Sequence, residues 1–159
     1  VLSDWEDHLT TAFPEVRLKR FLEMRGADGG PWRRLCALPA FWVGLLYDQA
    51  NLDHCLSLTK DWSPQDHDNL RLDVAREGLN AKIHGASVRQ LAEECVAMAR
   101  SGLAKRQRLT GSGDHEGGFL VALEEVVDRG TTPAEEKLAA YNGRWAGDVS
   151  ALFKEYAYY

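Results

Sequence analysis

The sequence holds only three cysteines, Cys36, Cys55 and Cys95, and none is spaced as a pair. An odd, sparse set of this kind excludes a disulfide-stapled secreted scaffold and fits a reducing compartment, with each thiol free and buried. Long hydrophobic runs are also missing. Crossing a bilayer takes roughly 20 apolar residues, whereas the most apolar stretch, residues 37–47, is short and interrupted by Pro39 and Gly44, so the chain reads as soluble with no membrane partner. A basic excess is absent too: 19 Lys and Arg face 24 Asp and Glu, giving a net charge of -5 and a pI near 5.5. Without a sustained basic stripe a nucleic-acid partner is excluded, and the run Lys105, Arg106, Gln107, Arg108 reads as a solvated helix end. The first residue is Val, and no secretory or transit pattern follows it, which reads as a processing, proteolytic or expression boundary.

What is present is mostly helix. A chain of 159 residues is one domain of ordinary size, able to bury about two thirds of its unfolded surface. Ser3 and Glu6 have capping-box spacing, and Trp5, Leu9, Ala12 and Phe13 recur at helical intervals, predicting a helix over 4–12 that Pro14 ends. Residues 32–47 form the most buried helical stretch, with Pro39 marking a kink or a fresh start. Asn51 is placed to cap the next helix. Ser63-Pro64 opens another, residues 78–85 form a loop, and Ser87 opens the clearest amphipathic helix, with Val88, Leu91, Cys95, Ala99 and Leu103 on one side. The glycine-rich stretch 109–118 is a surface loop without the strand context of a phosphate cradle. Short helices follow over 119–127, from Thr132-Pro133 to Gly143, and from about 148 into the aromatic tail Tyr156, Tyr158, Tyr159.

Only residues 16–25 read as a strand. Side chains two apart share a strand face, so Arg17, Lys19, Phe21, Glu23 and Arg25 point one way, and Val16, Leu18, Arg20, Leu22 and Met24 the other. The first face offers a carboxylate among three cations; the second is mostly apolar. A glutamate followed two residues on by an arginine can hold a divalent metal through the carboxylate and an anion through the guanidinium. A solvated charged face fits the same spacing, since E-x-R is a common tripeptide. A lone strand also leaves its backbone groups unpaired on both edges. The segment therefore pairs with another copy, pairs with polypeptide outside this chain, as the Val start favours, or is not a strand.

The runs Pro14 to Lys19, Leu22 to Arg34 and Leu38 to Asp48, followed later by Thr132-Pro133-Ala134-Glu135 and Tyr141-Asn142-Gly143-Arg144-Trp145, resemble the C-terminal portion of glutamate-cysteine ligase of the plant and proteobacterial type. The resemblance is densest over residues 9–48 and weakest around 78–118. It implies a ligase that uses ATP and Mg²⁺ to activate the γ-carboxylate of glutamate as an acyl phosphate and join it to the amine of cysteine, the first step of glutathione synthesis. It also implies a fold: the parent is α+β, with a glutamine synthetase-like antiparallel catalytic sheet surrounded by helices. This chain is then mainly α-helical, a fragment carrying one strand of that sheet, with residues 1–30 holding a short helix, the strand and the glycine loop, and residues 31–159 the helical region. On that template Glu23 is the metal ligand, Arg25 contacts the transferred phosphoryl group, Arg17 and Lys19 add positive charge near the nucleotide, and Asp28 completes an E-x-R-x-x-D pattern. The implied partners are glutamate, cysteine and the N-terminal remainder of the same enzyme, whose absence implies that the chain alone is inactive. Relatives of this type place it in bacterial cytoplasm, or in a plastid if the source is a plant.

The remaining candidates have plainer readings. His54, His67, His84 and His115 lack helical pairing or zinc spacing, and His8 fits a helix surface near the strand. Cys36 reads as a packed thiol with redox control as the alternative, and Trp32, Phe41, Trp42 and Tyr47 as core with a pocket wall as the alternative. A different class also accommodates the sequence: a stand-alone helical interaction module that uses the 16–25 strand to recruit a partner.

Overall fold

In a computed structural model the chain is a set of α-helices with two small antiparallel hairpins, and the structure describes residues 1–11 and 13–157. In order these are α1 (Leu2–Thr10), β1 (Val16–Leu18), β2 (Leu22–Met24), α2 (Trp32–Leu46), α3 (Gln49–Thr59), α4 (Pro64–Glu77), β3 (Lys82–Ile83), β4 (Ala86–Ser87), α5 (Val88–Arg106), α6 (Val121–Arg129), α7 (Pro133–Asn142) and α8 (Ser150–Glu155). The Ala12 end expected for the first helix, and Tyr158 and Tyr159 of the tail, lie outside the described residues.

The core forms where α2 lies along α5, under a 3₁₀ turn (Glu116–Leu120) and α6. Ala40, Leu45, Ala99, Leu103 and Leu120 are its buried residues, with Phe41, Trp42, Met98 and Leu123 packed around them. Leu103 and Leu120 are fully enclosed, each contributing roughly 1.5–3 kcal/mol by removal from water. Small residues let the two helix backbones touch. A Cβ on Gly44 would overlap the backbone of Ala99, and one on Gly102 would overlap the carbonyl of Gly44. The α2 helix runs unbroken through Pro39, giving up the helical hydrogen bond that a residue with an N–H would donate there.

Several helix starts follow directly from local side-chain chemistry. Ser63, Ser87 and Thr132 each cap a helix with a reciprocal bond from the residue three on, and Pro64 and Pro133 occupy the opening turn. Asp48, not Asn51, caps α3. Asn51 sits one turn inside, buried, where its amide donates to the Gly44 carbonyl at 2.9 Å and the Met98 carbonyl at 2.8 Å, tying α3 to both core helices.

At the α4 cap, the Asp66 carboxylate accepts from the Ser63 hydroxyl at 2.6 Å and the Ser63 N–H at 2.8 Å, and lies 3.2 Å from His84 Nε2. Those bonds, the Ser63 hydroxyl's first, hold its pKa down at about 2 against an ordinary 3.8. A depressed carboxylate pKa contributes stability above the unfolded value that disappears as pH falls through the folded one. Asp66→Asn is therefore expected to lower the thermal midpoint at pH 7, and the gap to wild type should narrow as pH falls from 4 towards 2. An equal gap at both ends of that range would show that the charge is not what the cap uses.

Two expectations are overturned. Residues 16–25 do not run as one strand: the chain folds back, and β1 pairs with β2 in the register Val16↔Met24, Arg17↔Glu23, Leu18↔Leu22. Ten alternating residues satisfy a hairpin as well as a strand, and folding back pairs one edge of each half within the segment. Residues 78–85, expected as a loop, also contain regular structure. A 3₁₀ turn (Gly78–Asn80) leads into β3 and β4, which pair Lys82↔Ser87 and Ile83↔Ala86 across the two-residue turn His84-Gly85. Both turn residues have positive φ, 49° and 85°, as a tight hairpin of primed type requires.

Candidate functional site

The β1–β2 hairpin is held at three levels. The Lys19 N–H donates to the Phe21 carbonyl at 2.9 Å across the tip, the strands pair between, and the Arg25 N–H donates to the Glu15 carbonyl at 2.8 Å beyond them. Arg17 and Glu23 stand directly opposite on one face. Arg17 Nε donates to Glu23 Oε2 at 2.7 Å, with both side chains about a third exposed, at 28% and 34%. The other face carries Val16, Leu18, Leu22 and Met24. It is largely uncovered: Leu18 is 79% exposed and Leu22 57%. Helix α1 likewise contributes no buried residue.

Arg25 is half-buried. Its guanidinium lies over the Phe13 ring, 5.2 Å from the centroid, and its Nη1 is buried with no hydrogen-bond partner among the described residues. A buried guanidinium N–H without an acceptor is costly, and an anion placed against it would satisfy it. Glu23 sits within reach of all three cations. The Arg17 hydrogen bond, then the charges of Arg17, Lys19 and Arg25, hold its carboxyl below the ordinary 4.5 against the opposing effect of desolvation, so it is ionised at neutral pH.

The structure thus brings together Arg17, Lys19, Glu23 and Arg25, although on a hairpin in place of the expected strand. Asp28 is exposed in the following loop. Two neighbours escaped the sequence reading. Phe13 is the platform under Arg25, where the sequence showed it only as the last apolar residue in a helical periodicity. Glu15 lays its carboxylate over Gly26, so close that a Cβ at that glycine would stand 2.6 Å from Oε2. The Glu15-x-Arg17 spacing, a second carboxylate two residues from a cation, was the available signal.

Elsewhere the titratable groups are engaged in packing. His54 pairs with Glu94 at 2.6 Å, His115 Nδ1 accepts from the Gly117 N–H at 3.0 Å, and His67 stands edge-on to Trp62. The described residues contain no cluster of three His, Cys, Asp or Glu that could hold a metal by itself. All three cysteines are free and half-buried, and burial pushes the Cys95 thiol up to about 11. Cys36 lines an apolar cleft of about 280 Å³ with Pro39, Val43, Leu103 and Phe119. Phe41 and Trp42 pack on the core, whereas Trp32 and Tyr47 are exposed.

The chain is similar over nearly its whole length to known proteins. Residues 2–155 match Glutamate-cysteine ligase family 2 (GCS2). The chloroplastic glutamate-cysteine ligase of Arabidopsis thaliana is 53% identical over 156 residues, covering 98% of this chain and 29% of the relative. That of Solanum lycopersicum is 51% identical over 157 residues, 99% of this chain and 29% of the relative, and that of Medicago truncatula 52% identical over 157 residues, 99% and 30%. The chain spans less than a third of the length of these relatives. With nearly its whole length matched by the family and at this level of identity, the chain belongs to glutamate-cysteine ligase family 2.

Proposed function

We propose that this chain supplies one corner of the active site of an ATP-dependent glutamate-cysteine ligase. The observation that carries the reading is Arg25, a half-buried guanidinium with an orphaned Nη1, beside an ionised Glu23. A carboxylate is a poor acyl electrophile. ATP supplies the activation, converting the γ-carboxylate of glutamate to an acyl phosphate that the amine of cysteine then attacks. Phosphoryl transfer of this kind depends on positioning and on neutralising charge.

The residues fit those tasks in part. Glu23 Oε2 is taken by Arg17, and Oε1 has no hydrogen bond among the described residues, leaving one oxygen for Mg²⁺, which accepts about six oxygen ligands and keeps several waters. The other ligands come from further chain. Arg25 meets the transferred phosphoryl group, while Lys19 and Arg17 turn positive charge towards the nucleotide. In this reading the uncovered Val16, Leu18 and Leu22 face packs on the rest of a longer protein, where the hairpin joins a glutamine synthetase-like antiparallel sheet. The relatives' chloroplastic naming supports a plastid location over plain cytoplasm. No helix of the described residues is long and apolar enough to cross a membrane. A stand-alone interaction module would use the same uncovered face but leaves the charged face, and the family, without a purpose.

The test is formation of γ-glutamylcysteine. In the full-length protein Glu23→Gln is expected to cut turnover by at least tenfold, with the substrate KM values little changed, because the lost contact matters most as charge moves. The isolated 159-residue chain is expected to make no product. Wild-type turnover in Glu23→Gln overturns the site, and product from the isolated chain overturns the claim that it holds only one corner.

A further inference from the structure

Glu23 has three cations within electrostatic reach, yet it bonds one of them. Arg25, whose buried Nη1 is unsatisfied among the described residues, is left without the carboxylate it would most readily take. The register explains the choice. Arg17 stands directly across the ladder from Glu23, on a neighbouring strand whose backbone is fixed at both ends of the hairpin, whereas Arg25 is two residues further along the chain, just past the end of β2. Cross-strand partners have their Cβ atoms about 5 Å apart and meet with little loss of side-chain freedom.

We propose that Arg17 is a positioning residue. By bonding Glu23 Oε2 it keeps Oε1 presented for a divalent cation and keeps Glu23 away from Arg25, whose guanidinium stays open for a phosphoryl oxygen. The inference rests on the ligase reading above and sharpens the place of Arg17 in it, from charge near the nucleotide to control of the carboxylate. The atom used supports this. With Nε committed to Glu23, the Nε edge of the guanidinium fork is withdrawn from bidentate phosphate binding. Orienting partners of metal ligands are typically worth 10–100-fold in metal affinity or activity, and here removal has a second consequence, since the released carboxylate collapses onto Arg25 and disables both groups together.

The experiment uses the full-length protein with Mn²⁺ as the paramagnetic probe, its dissociation constant read by electron paramagnetic resonance in the presence of a non-hydrolysable ATP analogue, alongside steady-state kinetics. Arg17→Gln is expected to weaken Mn²⁺ binding and lower kcat, each about tenfold, while the KM for ATP stays within about twofold. Arg17→Lys, which keeps the charge but not the Nε donor, is expected to rescue neither quantity fully. On a Glu23→Gln background Arg17→Gln should change nothing further, because its target is gone. Circular dichroism verifies folding, and Arg17→Lys carries the test if Arg17→Gln fails to fold. Raised ATP KM with unchanged Mn²⁺ affinity overturns the proposal in favour of a nucleotide contact, tighter Mn²⁺ binding overturns it in favour of simple repulsion, and equal losses in both backgrounds overturn it in favour of a structural role. Should Glu23→Gln itself leave Mn²⁺ binding and turnover intact, it is the ligase site reading that fails.

Discussion

Gly102→Ala is expected to destabilise the fold by roughly 3 kcal/mol, at the upper end of the cost of forcing an extra methyl into a packed core. In a unit of this size that lowers the thermal midpoint by on the order of 10 °C. The added Cβ would overlap the Gly44 carbonyl and stand 2.8 Å from the Asn51 amide nitrogen. Neither obstacle is the far end of a flexible side chain. The Gly44 carbonyl belongs to the α2 backbone, and the Asn51 amide is held at 2.9 and 2.8 Å to two backbone carbonyls. Relief therefore requires α2 and α5 to separate, which loosens Leu45 against Ala99 and Leu103 in the core. Asn51→Ala alone would cost about 1–3 kcal/mol by removing two buried hydrogen bonds that tie α3 to the core helices. The double variant should lose less than the sum, because the alanine at 51 removes one of the two collisions. Urea unfolding of the two single variants and the double one measures this, and additive losses would mean that the crossing is looser than its backbone contacts indicate.

That crossing also shows where sequence reading stops. Ser63, Ser87 and Thr132 were legible as helix starts because a cap is a contact between residues three apart, complete within four letters of sequence. Asn51 looked equally able to cap, and locally it is. Asp48 takes that duty because Asn51 is needed 47 residues away at Met98, a demand with no local sign. The hairpin failed for a related reason. Alternation fixes which side chains share a face but says nothing of reversal, and the tip Lys19-Arg20-Phe21 has none of the glycine, asparagine or aspartate that mark turns. His84-Gly85 does carry such a mark, and the second hairpin was there to be read.

The grouping of the charged residues is the same in the hairpin as in the expected strand, because folding back keeps them on one face. Arg17 and Glu23 share a face in a continuous strand by even spacing, and in the hairpin by direct opposition. Their chemistry was recoverable from the alternation pattern, but their contact was not. A continuous strand keeps the two six residues apart along the chain, and only the reversal brings Nε to Oε2 at 2.7 Å. The orphaned Nη1 of Arg25 is likewise a property of packing, set by Phe13 beneath it and by a carboxylate already engaged elsewhere.

Arg25→Ala in the full-length enzyme should have the largest effect on turnover, a fall of about 10²–10³ in kcat, the usual cost of losing one preorganised donor to charge that develops in the transition state. Its backbone is fixed to Glu15 and its guanidinium rests on Phe13, so in the proposed site it would be oriented before a phosphoryl group arrived and would need no reorganisation as charge built. The loss should fall on kcat and kcat/KM alike, with little change in the KM for cysteine. Stability should change little, since the substitution removes a buried N–H that has no partner among the described residues while losing only the stacking of the guanidinium on Phe13. Arg25→Lys should recover part of the rate and no more, because an ammonium supplies charge without the planar fork that matches phosphate. Phe13→Ala removes the platform but not the donor, and a stacking contact worth about 0.5–1 kcal/mol corresponds to a fall of only a few-fold. Steady-state formation of γ-glutamylcysteine by the three variants orders them, with Arg25→Ala slowest, then Arg25→Lys, then Phe13→Ala. If Arg25→Ala were no slower than Phe13→Ala, the guanidinium would be a packing element of the hairpin, and the anion would have to be met by residues outside this chain.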